Sequence, residues 1–86
     1  MGGWLRDPQA VSVTGNGMDE VAARVAYRDF LKWCTDEGIQ RMHVPRQAEF
    51  TQRVGASGIQ GLVRVRTKSG RVFRGMRLVT YASQGR

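Results

Sequence analysis

The sequence predicts one small α+β domain in which two helices are followed by a basic β-hairpin. Two segments carry apolar residues at helical spacing, and a later segment alternates with period two, turns at a glycine and returns. With 86 residues, the chain has enough sequence for a single hydrophobic core. We expect a partly flexible N-terminal arm over residues 1–17, a domain over 18–79 and a C-terminal tail over 80–86.

The N-terminal arm carries few signals for regular structure. Pro8 opposes continuation of a helix, and Gly15-Asn16-Gly17 is typical of a turn. Between them, Val11–Val13 has the composition of a short β-strand. We therefore expect one short strand in an otherwise irregular segment.

The first helix is predicted from Asp19 to Glu37. Asp19 is a suitable N-cap residue, Glu20 would lie near the positive end of the helix dipole, and Gly38 is placed to end the helix with a left-handed residue. One face is predicted to pack on the core, and its residues are Ala23, Tyr27, Phe30, Leu31 and Cys34.

The second helix is predicted to begin with Pro45 in its first turn, to run to about Val54 and to stop at Gly55. Phe50 and Val54 are four residues apart and would both face the core. The opposite face would present Arg46, Glu49 and Arg53 to a partner.

The hairpin is predicted from an alternating segment, Leu62 to Arg66, a turn at Lys68-Ser69-Gly70, and a return strand from Arg71 to Leu78. In the return strand Val72, Met76 and Leu78 share one parity, whereas Phe73 has the other. The alternation therefore leaves open which face of this strand is buried.

Charge is distributed unevenly along the chain. The sequence has 14 Lys and Arg against 7 Asp and Glu, for a net charge of +7. Residues 1–40 hold four of the cations and six of the anions, whereas 41–86 hold ten cations and a single anion, Glu49. This pattern favours a polyanionic partner. A membrane surface is disfavoured because many of the cations fall in a strand-like segment rather than on an amphipathic helix.

The sequence lacks the motifs of several other function classes. It has no phosphate-binding G-x-x-x-x-G-K-[ST] loop and no carboxylate pattern suited to Mg²⁺. Cys34 is the single cysteine, so it cannot form an intramolecular disulfide. His43 is the single histidine, and one cysteine with one histidine cannot complete a structural zinc site. Trp33 and Cys34 are predicted core residues and His43 a surface residue. We expect a cytoplasmic, non-enzymatic domain without metal or cofactor.

Three segments resemble one family. The segment from Ala26 to Gly38, with Trp33-Cys34 near its end, resembles the YxxFxxWCxxxG helix near the C-terminus of phage and plasmid primase-helicases with a superfamily 3 motor. Phe50–Val54 is similar to the family's FGRxL segment, and Gly70–Leu78 to its GRxWxGxxL segment. The similarity covers residues 19–79. It departs from the family pattern at Thr51, Gln52 and Phe73.

The resemblance implies a winged-helix domain that binds duplex DNA, from an origin or a substrate, for the motor of a larger primase-helicase. The second helix would enter the major groove, where Gln pairs with adenine and Arg with guanine. The hairpin would hold phosphates. The expected contacts on the helix are Arg46, Gln47 and Arg53, with Thr51 and Gln52 beside them, and those on the hairpin are Arg64, Arg66, Lys68, Arg71 and Arg74.

Three other functions fit the same sequence features. A stand-alone regulator of the excisionase type would share the small size, the charge and the hairpin, and would bend DNA. A protein-docking module would use the arginines to bind an acidic protein. An RNA-binding module is the third option, and the lack of an aromatic-rich sheet face argues against the RNA-recognition-motif fold for it.

Overall fold

The computed structural model describes residues 2–79, so the predicted tail over 80–86 lies outside the described residues. The architecture is α+β, as predicted, with three helices and two small antiparallel sheets. No helix within residues 2–79 has the length and apolar character needed to cross a bilayer. The elements are α1 (Gly2–Arg6), β1 (Val11–Val13), β2 (Glu20–Ala22), α2 (Ala23–Asp36), α3 (Gln47–Gly55), β3 (Val63–Thr67), β4 (Gly70–Arg74) and β5 (Met76–Leu78), with one 3-10 turn (Arg41–His43) before α3.

The return strand of the hairpin belongs to both sheets in succession. Its first part, β4, is the central strand of a sheet ordered β2-β4-β3, and its second part, β5, pairs with β1. Gly75 lies between them with a φ of 86°, and its N–H donates to the Asp19 carbonyl at 2.9 Å. Val72 and Phe73 are neighbours in β4 and are buried on opposite faces of its sheet, which is why residues of both parities are buried. In β5, Met76 and Leu78 are buried on one face.

Helix α2 begins four residues later than predicted. Glu20–Ala22 forms β2 instead of a first helical turn, because it pairs with β4 in the register Glu20↔Arg74 and Ala22↔Val72. The carboxylate of Asp19, the predicted N-cap, accepts a 2.6 Å hydrogen bond from the Thr14 hydroxyl. The predicted end of the helix is confirmed, since α2 stops at Asp36 and Gly38 has a φ of 71°.

Helix α3 follows its prediction except at its start. It begins at Gln47 and ends at Gly55, whereas Pro45, which was predicted in the first turn, lies outside the helix because the N-cap residue Arg46 is extended, with a ψ of 164°. Phe50 and Val54 are buried as expected. The face of α3 that carries Phe50 and Val54 packs on the core, and the residues on its opposite face are therefore exposed.

Aromatic side chains fill the centre of the core. The ring of Phe50 packs 4.9 Å from that of Phe30 and 6.2 Å from that of Phe73, which joins α2, α3 and β4. On α2, Cys34 is buried as predicted, but the prediction for Leu31 was wrong, since it is 37% exposed. Ala26 takes the central position of the buried face instead, with no exposed surface.

The N-terminal segment contributes to this core. Trp4 has no exposed surface and lies 5.7 Å from Phe30 and 5.4 Å from Phe50, centroid to centroid. Leu5, Ala10 and Val11 are buried beside it. The short strand predicted at Val11–Val13 is confirmed as β1. Up to β1, the segment expected to be an arm is thus packed against α2 and α3.

Candidate nucleic-acid interface

The β3–β4 hairpin has a tightly defined tip. The strands pair as Arg66↔Arg71 and Thr67↔Gly70, and the Thr67 hydroxyl donates to the Gly70 carbonyl at 2.8 Å. Gly70 has a φ of 124°, a conformation that side-chain-bearing residues rarely adopt. The two-residue connection leaves Lys68 exposed at the end of the hairpin.

The register places three of the hairpin cations on one face. Residues directly opposite in an antiparallel pair share a face, and so do residues two apart along a strand. Arg64 lies opposite Phe73, whose ring contacts Phe50 of α3. Arg66 and Arg71 continue this face toward the tip. These three arginines are therefore on the side of the sheet that carries α3.

Arg64 also lies against α3 itself. A Cβ added to Gly55 would come within 3.2 Å of the Arg64 Cδ and Nε atoms. The absence of a side chain at the end of α3 thus allows the aliphatic part of Arg64 to pack there. Arg64 is an exposed residue, and its Nε atom lies beside the end of α3.

Arg74 lies on the opposite face of the same sheet. Its Nε donates to the Glu20 carboxylate at 3.0 Å, and both side chains are about half exposed. The sequence analysis grouped Arg74 with the other hairpin cations. Its partner, Glu20, is 54 residues away, so no local pattern indicates the pair. The structure separates it from them and supplies a counter-charge.

The exposed face of α3 carries a mixture of charges. Arg46 is the N-cap residue, Gln47 and Gln52 are exposed, and Arg53 forms an ion pair with Glu49. Exposed pairs of this kind contribute only about 0–1 kcal/mol, so Arg53 can exchange its carboxylate for another anion.

Thr51 is not part of this exposed face. It was expected beside the base-contacting residues, but it is only 3% exposed and its hydroxyl donates to the Gln47 carbonyl at 2.8 Å. Thr51 is buried because it lies next to Phe50 on the face of α3 that packs on the core.

A groove of about 440 Å³ lies between α3 and the hairpin tip. It is lined by two arginines, Arg24 of α2 and Arg71 of β4, and by Gln47 and Ser69, without a carboxylate. Two other grooves of the described structure differ in charge. One contains Asp19 and Glu20, and the other contains four carboxylates, Asp7, Asp29, Asp36 and Glu37. Arg24 was not among the predicted contacts, because its helix belongs to the acidic half of the sequence.

The six aromatic side chains of residues 2–79 are engaged in the core or in hydrogen bonds. Trp4, Phe30, Phe50 and Phe73 are buried. Tyr27 is half-buried and donates its hydroxyl proton to the Pro45 carbonyl at 2.8 Å. Trp33 is half-buried against the core and donates its indole N–H to Asp7. Four of these six rings are therefore closed to stacking with an unpaired base, and the other two are partly covered by the core.

The reactive side chains of residues 2–79 include the thiol of Cys34 and the imidazole of His43. Burial raises the pKa of the Cys34 thiol, which disfavours the nucleophilic thiolate. His43 is exposed, as predicted for a surface residue. Within the described part of the chain, no group of three or more His, Cys, Asp or Glu side chains is placed to hold a metal ion.

The candidate interface is defined by the geometry of this chain alone. It combines the outward face of α3, three arginines on the neighbouring face of the hairpin and the groove between them. Comparison of the chain with protein-family models, with curated proteins and with solved structures finds no match.

Proposed function

We propose that this chain is a winged-helix domain that binds duplex DNA, with α3 in the major groove and the β3–β4 hairpin on the phosphate backbone. The observation that carries the proposal is the register of the hairpin. It directs Arg64, Arg66 and Arg71 to the side of the sheet occupied by α3, so that one DNA duplex can contact both elements.

The order of the elements supports the same fold. A short helix and the strand β2 precede the helix pair, and β2 completes the hairpin sheet in the order β2-β4-β3. This order supports the winged-helix proposal, in which the second helix of the pair and the hairpin would both contact the bound duplex. The strands β1 and β5 form an additional small sheet beside it.

The aromatic residues support a duplex over a single strand. Proteins that bind unpaired bases stack them on exposed aromatic rings. The six aromatic side chains of residues 2–79 are buried or hydrogen-bonded within the domain. Binding through cations and a helix, without stacking, suits the closed bases and regular phosphates of a duplex.

The number of unpaired cations sets the expected salt dependence. Of the seven cations predicted to contact DNA, Arg53 and Arg74 have carboxylate partners. The five others within the described chain have no ion-pair partner, and these are Arg46, Arg64, Arg66, Lys68 and Arg71. At about 0.9 per phosphate contact, five contacts give a log–log salt slope of about −4.5, whereas all seven would give about −6.

The test is a fluorescence-anisotropy titration of a labelled random-sequence DNA duplex, with single-stranded DNA and duplex RNA as competitors, at several salt concentrations. The hairpin variant carries Arg64→Ala, Arg66→Ala, Lys68→Ala and Arg71→Ala. A matched control removes four cations outside the interface through Arg6→Ala, Arg28→Ala, Lys32→Ala and Arg41→Ala.

The proposal expects duplex to bind best, the hairpin variant to lose most of the salt slope and the control to keep it. If the two variants weaken binding equally, net charge alone explains the affinity and the proposal fails. Absence of binding at low salt by the folded domain would also contradict it and would favour the protein-docking alternative. A role beside the motor of a primase-helicase is part of the proposal and rests on the family resemblance described above.

A further inference from the structure

We infer that the groove between α3 and the hairpin tip holds a phosphodiester segment of the bound DNA, and that Arg24 of α2 contacts it. This inference rests on the proposed function and adds a contact from the acidic half of the sequence. It also gives a location to the DNA backbone, which the predicted contact residues alone do not.

The first argument is the charge of the groove. Arg24 and Arg71 lie on its walls, from α2 and β4 respectively, and no carboxylate lines it. Within residues 2–79, no ion pair involves either arginine. The two other grooves each contain carboxylates, which would repel a phosphate. This groove is therefore the one of the three that suits an anion.

The second argument is its chemistry and access. Gln47 and Ser69 add neutral hydrogen-bond donors to the two guanidinium groups, and a phosphate oxygen accepts from both kinds of donor. A Cβ added at Gly70 would meet nothing within 4 Å, so the groove is open on this side. With a volume of about 440 Å³ and an open side, it has room for a phosphate group that stays joined to the rest of a DNA strand.

The third argument is continuity with the proposed interface. Gln47 begins α3 and Arg71 belongs to the arginine face of the hairpin, so the groove joins the two elements that we propose to bind DNA. A backbone segment held here would lie between the helix in the major groove and the hairpin tip. Phosphate contacts of this kind position the protein on DNA and carry no sequence information.

The experiment compares Arg24→Ala with Arg28→Ala. Arg28 lies one helical turn further along α2, is also exposed and lines none of the three grooves, so each variant removes one exposed cation from the same helix. Each variant is titrated by fluorescence anisotropy against the same random-sequence duplex at several salt concentrations. Thermal unfolding followed by circular dichroism shows that both variants are folded.

The expected result is that Arg24→Ala makes the salt slope shallower by about 0.9, the loss of one phosphate contact, while Arg28→Ala leaves it unchanged. Arg24→Glu is expected to weaken binding more than Arg28→Glu. Equal effects of the two positions, or no effect at Arg24, would overturn the inference. The wild-type protein and the hairpin variant separate this outcome from failure of the proposed function. Suppose that Arg24→Ala has no effect. If the wild-type domain still binds duplex and the hairpin variant does not, only the inference on Arg24 is overturned. If the wild-type domain does not bind duplex, both the inference and the proposed function are overturned.

Discussion

Trp33 of α2 donates its indole N–H to the carboxylate of Asp7 in the N-terminal segment, at 2.9 Å and across 26 positions of sequence. A second bond of the same type runs in the opposite direction, from the Trp4 indole to the Asp29 carboxylate at 3.0 Å. Each segment therefore supplies one donor and one acceptor to the other. This reciprocal pairing fixes α1 and the following turn against the middle of α2.

The bond between Trp33 and Asp7 makes the stability of the domain depend on pH. The indole N–H, and then the Gln9 backbone N–H, lower the pKa of Asp7 below its ordinary value of 3.8. A carboxyl group with a lowered pKa in the folded state stabilises that state above its ordinary pKa, and the contribution is lost as the pH falls through the lowered value. We expect Asp7→Asn to lower the melting temperature at neutral pH, with the difference from wild type shrinking below pH 3.8.

Circular dichroism melts over a pH series measure this difference. Asp36→Asn is a suitable control, because it removes the same charge from the exposed C-terminal end of α2, where an acid is unfavourable to the helix dipole. It should not lower the melting temperature. A constant gap between wild type and Asp7→Asn down to the lowest pH would show that the Asp7 charge has no role.

Removal of the Trp4 side chain is expected to be highly destabilising. The side chain has no exposed surface and contacts the rings of Phe30 and Phe50, so Trp4→Ala leaves a large cavity. Such changes cost about 3–5 kcal/mol. Urea denaturation measures the loss, with Leu31→Ala as the exposed control. Equal, small effects of the two substitutions would mean that residues 2–6 are an unattached arm after all.

Gly75→Ala tests the junction between the two sheets. Gly75 has a φ of 86°, and a Cβ there would overlap the carbonyl oxygen of Gly61. Gly58→Ala is the matched control, because Gly58 has a φ of 72° but no atom within 4 Å of the added Cβ. The control should cost about 1–2 kcal/mol for the left-handed backbone alone. Chemical denaturation should show a clearly larger loss for Gly75→Ala, and similar losses would contradict a close backbone approach.

Two of the ion pairs offer a test of which face of the domain would contact DNA. Glu49→Gln frees Arg53 on α3, and Glu20→Gln frees Arg74 on the opposite face of the hairpin sheet. On the proposed function, only the first freed arginine reaches DNA. Glu49→Gln should therefore strengthen duplex binding and steepen the salt slope by up to about 0.9, while Glu20→Gln leaves the slope unchanged. The reverse pattern in an anisotropy titration would place DNA on the other face.

The features that follow from local sequence were predicted correctly. The end of α2 at Gly38, the buried pair Phe50 and Val54 and the hairpin turn each depend on neighbouring residues, and each is present. For the interface, the exposure of Arg46 and of the hairpin tip likewise follows from local periodicity. These parts could be derived from spacing alone.

The features that depend on distant partners were missed. Asp19 and Glu20 have the composition of a helix start, but β2 pairs Glu20 with Arg74, and no local pattern indicates that partner. The same pairing gives Arg74 a carboxylate partner on the face of the sheet opposite Arg64, Arg66 and Arg71. Arg24 reaches the groove because α2 begins at Ala23, which also depends on β2. Two adjacent large apolar residues, Trp4 and Leu5, were the sequence feature that could have indicated that the N-terminal segment packs on the core.

The pairing of early strands with late ones determines when this domain can acquire its structure. β1 and β2 find their partners in β5 and β4, at the other end of the described chain. Contacts between residues so far apart in sequence form only after most of the chain is available, and they slow folding. During synthesis, β1 and β2 can pair only after β4 and β5 have left the ribosome. Folding of the N-terminal half therefore requires the arginine-rich hairpin to be synthesised first.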